Sequence, residues 1–283
     1  MMKDVEKSNH YLIIFLFENN SELIYSSTKQ VFSRQRNTVY EVEYKILRLK
    51  YKFRRIKHLY SPINKIKNEM GRNRFFVFSR RLHREVRLYN SLQYDHWVLT
   101  ESDITVMSYC ERPLKIKVSI AGKVVETVFD MWVKSEIEEK FVFIRYSYEI
   151  DPDSKRSSEQ AIYEMYAQKI WCAENNKTHC VLTEENIRHN PTIIANKKTL
   201  IPFFTPLSEI KPEVYELIYR SALNGPMTIR DLEKSVQSKY HPVIIRNSIF
   251  ALILHEILTF NQEQDLLCGL TEVQLNVEKT YLR

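Results

Sequence analysis

The stretch from Asn90 to Ser147 constrains the fold more than any other part of the chain. It opens with residues 90–101, where apolar Leu92, Trp97 and Leu99 recur among polar neighbours, a spacing that predicts a helix. Residues 106–113 follow. Two strand candidates come next, 114–120 and 124–133, joined by the short Gly-containing turn Ala121-Gly122-Lys123. A third strand candidate, 141–146, lies beyond the charged loop 134–140. The order is helix, hairpin, loop, strand, and Asp130 is expected inside the second strand of the hairpin.

That order resembles the PD-(D/E)xK nuclease core. More narrowly, it resembles the N-terminal domain of the TnsA family, the endonuclease subunit of heteromeric transposases. In that family a helix with a Ser-Leu-Glu type motif supplies the first acid. A Gln-Pro pair follows, then an Asp in a strand, then Glu or Gln, any residue, and Lys in the next strand. Here Ser91-Leu92-Gln93 matches the first motif and Arg112-Pro113 matches Gln-Pro at the same spacing. Phe129-Asp130-Met131 matches the Asp strand, and Phe143-Ile144-Arg145-Tyr146-Ser147 matches the strand that ends in Lys. The resemblance covers about residues 75–200 and extends to the C-terminal region, and it implies an α/β (α+β) fold with a restriction-endonuclease-like core.

The departures from the motif bear on activity. Phosphodiester cleavage of this kind needs two or three carboxylates to hold Mg2+, a hard cation that prefers oxygen ligands, and a Lys to orient water or stabilise charge. Asp130 is the one acid kept in register and so the one metal-ligand candidate. Gln93 offers a neutral oxygen. On one register Arg145 fills the second acid position and Ser147 the Lys position; on a register shifted by two, Arg145 replaces the Lys itself. Two like unit charges about 4 Å apart cost about 4 kcal/mol at an effective dielectric near 20, and a divalent ion roughly doubles that. The pattern Gln93, Asp130, Arg145, Ser147 is therefore read as a degenerate catalytic motif needing no cofactor, with Mg2+ as the cofactor if the site is active. The rival reading is that Glu85 or Asp95 has taken over as first acid. Asp95 stands two residues from Gln93 and so points to a different helix face.

Charge and composition bound the partners. The net charge of +7 favours a polyanion. Gly is scarce, at four residues, and no glycine-rich phosphate loop is present. Cys110, Cys172, Cys180 and Cys268 are scattered without a C-x-x-C pair, so reduced thiols are expected and zinc is not, although Cys172, His179 and Cys180 lie close in sequence. His179 is read as structural. The apolar run Tyr11 to Phe17 is too short to cross a membrane and reads as a strand, so the expected location is cytoplasmic.

Residues 1–74 read as a basic, β-rich extension. Leu47 to Phe53 alternates apolar and basic, with Arg48, Lys50 and Lys52 on one face. The basic run continues through Arg54, Arg55, Lys57, Arg80, Arg81 and Arg84, interleaved with aromatics, and two readings stay open: a solvated face or a DNA-backbone contact. Residues 75–202 make the nuclease-like domain. Its second half is read as a loop at 151–160, a helix over 158–171, a short strand at 180–183 and a helix opened by Thr183 as cap. Pro202 and Pro206 mark a boundary, and 203–283 reads as a winged-helix domain. Pro212 opens its first helix, Thr228 caps the second and Pro242 opens the third, while 258–260 and 266–270 are expected to flank a wing. The third helix is largely apolar, leaving Arg246, Asn247 and Ser248 to reach bases.

By resemblance, the chain is expected to act as a TnsA-like subunit of a heteromeric transposase with an inactive nuclease site. It would bind transposon-end DNA and join a DDE-type transposase subunit and an AAA+ regulator. Two alternatives stay open: an active Mg2+-dependent endonuclease that nicks 5′ strands at transposon ends, and a winged-helix DNA-binding regulator.

Overall fold

A computed structural model describes residues 59–63, 74–237 and 240–276. The expected β-rich extension up to residue 58, and with it Arg48, Lys50, Lys52, Arg54, Arg55 and Lys57, lies outside the described residues. The chain is mixed α+β. Among the described residues the first strands form an antiparallel hairpin, β1 (Phe75–Ser79) and β2 (Arg84–Leu88). Strand side chains alternate between faces, so Val86 and Leu88 are buried while Phe76 and Phe78 face outward. Helix α1 (Ser91–Ser102) follows, close to the expected bounds. The Asn90 side chain caps it, accepting from the Gln93 amide at 2.7 Å.

After β3 (Val106–Glu111) the chain makes the hairpin β4 (Lys115–Ile120) and β5 (Lys123–Val128). Its two-residue turn holds Ala121 and Gly122 both at positive φ, 50° and 79°, the left-handed pair that suits the twist of a tight hairpin. The single long strand expected over 124–133 is in fact two. At Phe129 and Asp130 the chain leaves the hairpin and enters a different sheet as β6 (Met131–Ser135). The Phe129 amide still donates to Leu114 O at 3.2 Å, while the Asp130 amide already donates to Val142 O at 3.0 Å. Asp130 therefore stands at a junction rather than inside a strand.

The main sheet is completed by β7 (Glu139–Ile144) and β8 (Thr178–Leu182), in the order β3-β6-β7-β8. The last pair is parallel and needs a crossover. A short turn of helix, α2 (Ser147–Ile150), and the long α3 (Glu159–Glu174) supply it. Tyr109, Met131, Val133, Val142 and Ile144 face a core shared with α1 and the first hairpin. Cys110, Trp132 and Phe141 face the other way, against Phe129, Ile116 and Cys172 of α3. Tyr60 closes this second core edge-on to Trp132 at 5.1 Å and Phe141 at 5.6 Å.

Beyond β8, α4 (Glu184–Ile187) opens at Thr183, whose amide and hydroxyl both donate to Asn186 Oδ1, at 2.9 and 3.1 Å, so that Asn186 rather than the Thr183 side chain makes the cap contact. Next comes α5 (Pro191–Leu200), which the sequence reading passed over although Asn190-Pro191 is a helix-opening pair. The segment with Pro202 and Pro206 folds as two 3-10 turns, Ile201–Phe203 and Leu207–Glu209. The C-terminal part holds α6 (Pro212–Ala222), β9 (Met227–Thr228), α7 (Ile229–Val236), α8 (Pro242–Leu254), β10 (Leu258–Thr259) and β11 (Glu272–Leu275). Its sheet runs β10-β11-β9, antiparallel throughout. Thr228 caps α7 by accepting from the Asp231 amide at 3.1 Å, as expected. The second wing strand is displaced from 266–270 to 272–275. The Asn196 side chain on α5 donates to Gln262 O and Asp265 O at 3.1 and 2.8 Å and accepts from the Leu267 amide at 2.8 Å. With Gly269 O accepting from the Arg230 amide, that backbone is satisfied outside a ladder. All described residues fall within one compact unit, Tyr44–Arg283.

Candidate functional site

Three of the four motif residues meet. Asp130 is delivered by the turn into β6 and is buried. Its Oδ1 accepts from Gln93 Nε2 at 2.8 Å; its Oδ2 accepts from the Ile144 amide at 2.7 Å and from Arg145 Nη1 at 2.9 Å. Gln93 comes from the first turn of α1. Its own Oε1 accepts from the Tyr89 amide at 2.9 Å, which fixes the amide so that its NH2 faces the carboxylate. Arg145 stands one residue past β7. Its Nη1 also donates to Ile144 O at 2.6 Å, and its guanidinium lies over the Phe143 ring at 4.2 Å.

The arginine's other arm reaches an acid the sequence reading missed. Arg145 Nη2 donates to Glu164 Oε2 on α3 at 2.8 Å, and Gln160 Nε2 donates to the other Glu164 oxygen at 2.9 Å. One guanidinium thus links two carboxylates. Burial pushes the Asp130 carboxyl up, against the downward pull of Arg145 and the Ile144 amide. Burial works against the Arg145 cation too, but Asp130 and Glu164 outweigh it and raise its affinity for the proton. Nothing in the spacing of α3 marks Glu164. It follows a loop and lies on a different element, and only the crossover folds it back over the end of β7.

The remaining candidates lie elsewhere. Ser147 heads α2, where its amide and Oγ both donate to Glu184, at 2.7 and 2.6 Å. Asp95 accepts from Arg188 Nε at 2.7 Å and pairs with Lys198 Nζ at 2.6 Å, so it points away from Asp130 toward α4 and α5. Glu85 is half exposed on β2 and pairs with Arg87 at 2.8 Å. Neither rival acid joins Asp130.

Two of the three described DNA-contact candidates are occupied. Arg81 is buried beside the C-terminal end of α1, where Nη2 donates to Glu101 O and Asp103 O at 3.0 and 2.7 Å and Nη1 donates to Val106 O. It satisfies carbonyls that a helix end leaves open, and it offers no charge to an outside polyanion. Arg84 makes a two-point pair with Glu111, both contacts at 2.6 Å. Arg80 is exposed. On α8, Arg246 makes a two-point pair with Glu233 at 2.5 and 2.8 Å, and Ser248 is buried with its hydroxyl on Ile244 O at 2.8 Å. Asn247 stays exposed, as do the apolar Val243 and Ile244.

The donor set at Asp130 does not fit Mg2+. That ion demands near-octahedral oxygen ligation, whereas both Asp130 oxygens already accept from protein donors and a guanidinium separates it from Glu164. Among the described residues, no group of three or more His, Cys, Asp or Glu side chains is placed to hold a metal ion. All four cysteines are free thiols, and burial holds the His179 ring down at about 4. No protein-family model matches the chain, and no curated relative matches it.

Proposed function

We propose that this chain is a TnsA-like, DNA-binding subunit of a transposition complex, with a PD-(D/E)xK-type centre that does not cut. One observation carries the reading: the Arg145 guanidinium bridges Asp130 and Glu164. A working centre would draw several kcal/mol of transition-state stabilisation from a divalent ion between such carboxylates. The arginine supplies the neutralising charge permanently and leaves the ion no vacant oxygens. The order of elements supports the resemblance: α1 with Gln93, Asp130 at the entry to β6, Arg145 at the end of β7, then α3, β8 and the Thr183-Glu184 segment.

The C-terminal three-helix, three-strand part reads as a winged helix turned to protein contact. Its third helix exposes Val243 and Ile244 at 56% and 38%, while Arg246 is held by Glu233. That surface suits a transposase or AAA+ partner better than base edges, which call for free donors and acceptors. Such a subunit works beside DNA, in the cytoplasm. The test pairs two assays on the purified full chain: binding to duplex DNA at graded salt, and nicking of supercoiled plasmid in Mg2+ or Mn2+ with Asp130→Ala as control. Salt-sensitive binding without Asp130-dependent nicking is expected. Metal-dependent nicking lost in Asp130→Ala would establish a live enzyme, and absence of DNA binding would remove the nucleic-acid role.

A further inference from the structure

A cavity of about 250 Å3 opens between β1, α1 and the first 3-10 turn. It is smaller than the roughly 300–1,000 Å3 of ordinary small-molecule pockets, so it suits one planar group rather than a whole cofactor. Its walls are Phe78, Tyr94, Ile201 and Pro202, and Arg80 and Lys198 also line it. Phe78 is 63% exposed and belongs to neither core cluster, so its ring is open to solvent. Tyr94 is held rigid, stacked on Phe75 at 4.6 Å with the rings 9° apart. Charge around the cavity runs positive. Asp95 is shared by Lys198 and Arg188, and Arg80 adds a further cation. The one acid opposite Phe78 across the hairpin, Glu85, is paired with Arg87.

An apolar slot with a free aromatic ring at its mouth and cations beside it matches the chemistry of an unstacked base with its flanking phosphates. Bases stack on aromatic side chains whatever their identity, and the backbone follows basic groups. We propose that this cavity receives one base of single-stranded DNA, Phe78 stacking on it and Arg80 holding the adjacent phosphate. The inference rests on the DNA-binding reading above and deepens it: the partner is an opened DNA end, not only intact duplex.

The experiment measures fluorescence anisotropy of the full chain with a labelled oligo-dT of about 10 nucleotides, within the span such sites cover, and with a labelled duplex. Phe78→Ala is expected to weaken oligo-dT binding about 5- to 150-fold, the range for loss of one stacked base, with duplex affinity unchanged and Phe78→Trp retaining binding. Arg80→Ala should lower the slope of log affinity against log salt on the single strand by about 0.7. A melting scan of Phe78→Ala matching the wild type separates loss of the site from loss of the fold. Equal losses on single strand and duplex, or no loss on either, would overturn the proposal, as would polyglutamate competing as well as unlabelled oligo-dT, which would mark an acidic peptide as the occupant. Binding to duplex alone would overturn this inference and leave the DNA role standing; binding to neither form would overturn both.

Discussion

Arg145→Met tests the guanidinium bridge directly. Methionine keeps an unbranched apolar stem and removes the guanidinium that lies over Phe143. The arginine side chain is 22% exposed, and the Asp130 and Glu164 side chains 8% and 14%. Breaking a buried ion pair by deleting one partner costs about 3–5 kcal/mol, and the partial exposure here points to the lower end, about 3 kcal/mol. For a folded unit of this size that is a fall in Tm of about 6–12 °C. The variant leaves two carboxylates facing each other without a cation, so it should acquire a metal response that the wild type lacks. At a free Mn2+ concentration about 100 times its Kd, the ion would return about 2.7 kcal/mol. Differential scanning calorimetry with and without Mn2+ reads both effects. Adding Glu164→Gln should recover part of the loss, because one of the stranded charges is gone. The reasoning fails if Arg145→Met melts with the wild type, or if Mn2+ raises the wild-type Tm as much as that of the variant.

Three further outcomes follow from the structure. Burial holds the His96 and His255 rings at about 4, against 6.5 for a free ring, with the Lys140 and Arg81 cations adding to the effect. The unfolded chain therefore takes up protons first, and stability present above pH 6.5 is lost as pH falls toward 4, by about 3 kcal/mol for each ring; urea titrations at pH 7 and pH 5 should show this, and His96→Leu should remove about half of it. Arg81→Met should lower stability by about 3 kcal/mol by leaving the carbonyls at the end of α1 without their donor, yet leave the salt dependence of DNA binding unchanged, which filter binding at graded salt checks. Asn196→Ala removes three hydrogen bonds to the wing loop, worth about 2–4 kcal/mol together, and limited proteolysis should then cut near residues 262–267 first.

The helix with Gln93 was legible because the spacing of Leu92, Trp97 and Leu99 is a local signal, whereas the Asn90 cap emerged only with the structure. The β4–β5 turn was legible through Gly122. The division of the expected strand 124–133 was not, because Val124 to Val133 is β-prone apart from Glu126 and Asp130, and a single Asp does not say that the chain changes sheets there. The switch at Phe129 depends on which neighbours supply hydrogen bonds, Leu114 before it and Val142 after. Glu164 was illegible for the same reason, since its partner is chosen by a crossover. Arg81 and Arg84 read as part of a basic run because sequence counts charges without their partners, and Glu101, Glu111 and the carbonyls that engage them lie about 20 or more residues away.

Helix α5 has a mechanical consequence. Asn196 ties one side of it to the wing loop, while Lys198, two residues on and so about half a turn round the axis, pairs with Asp95 on α1 and lines the cavity. Both attachments therefore ride on one rigid rod. A substitution that unwinds this helix would loosen the wing loop and the cavity wall at once.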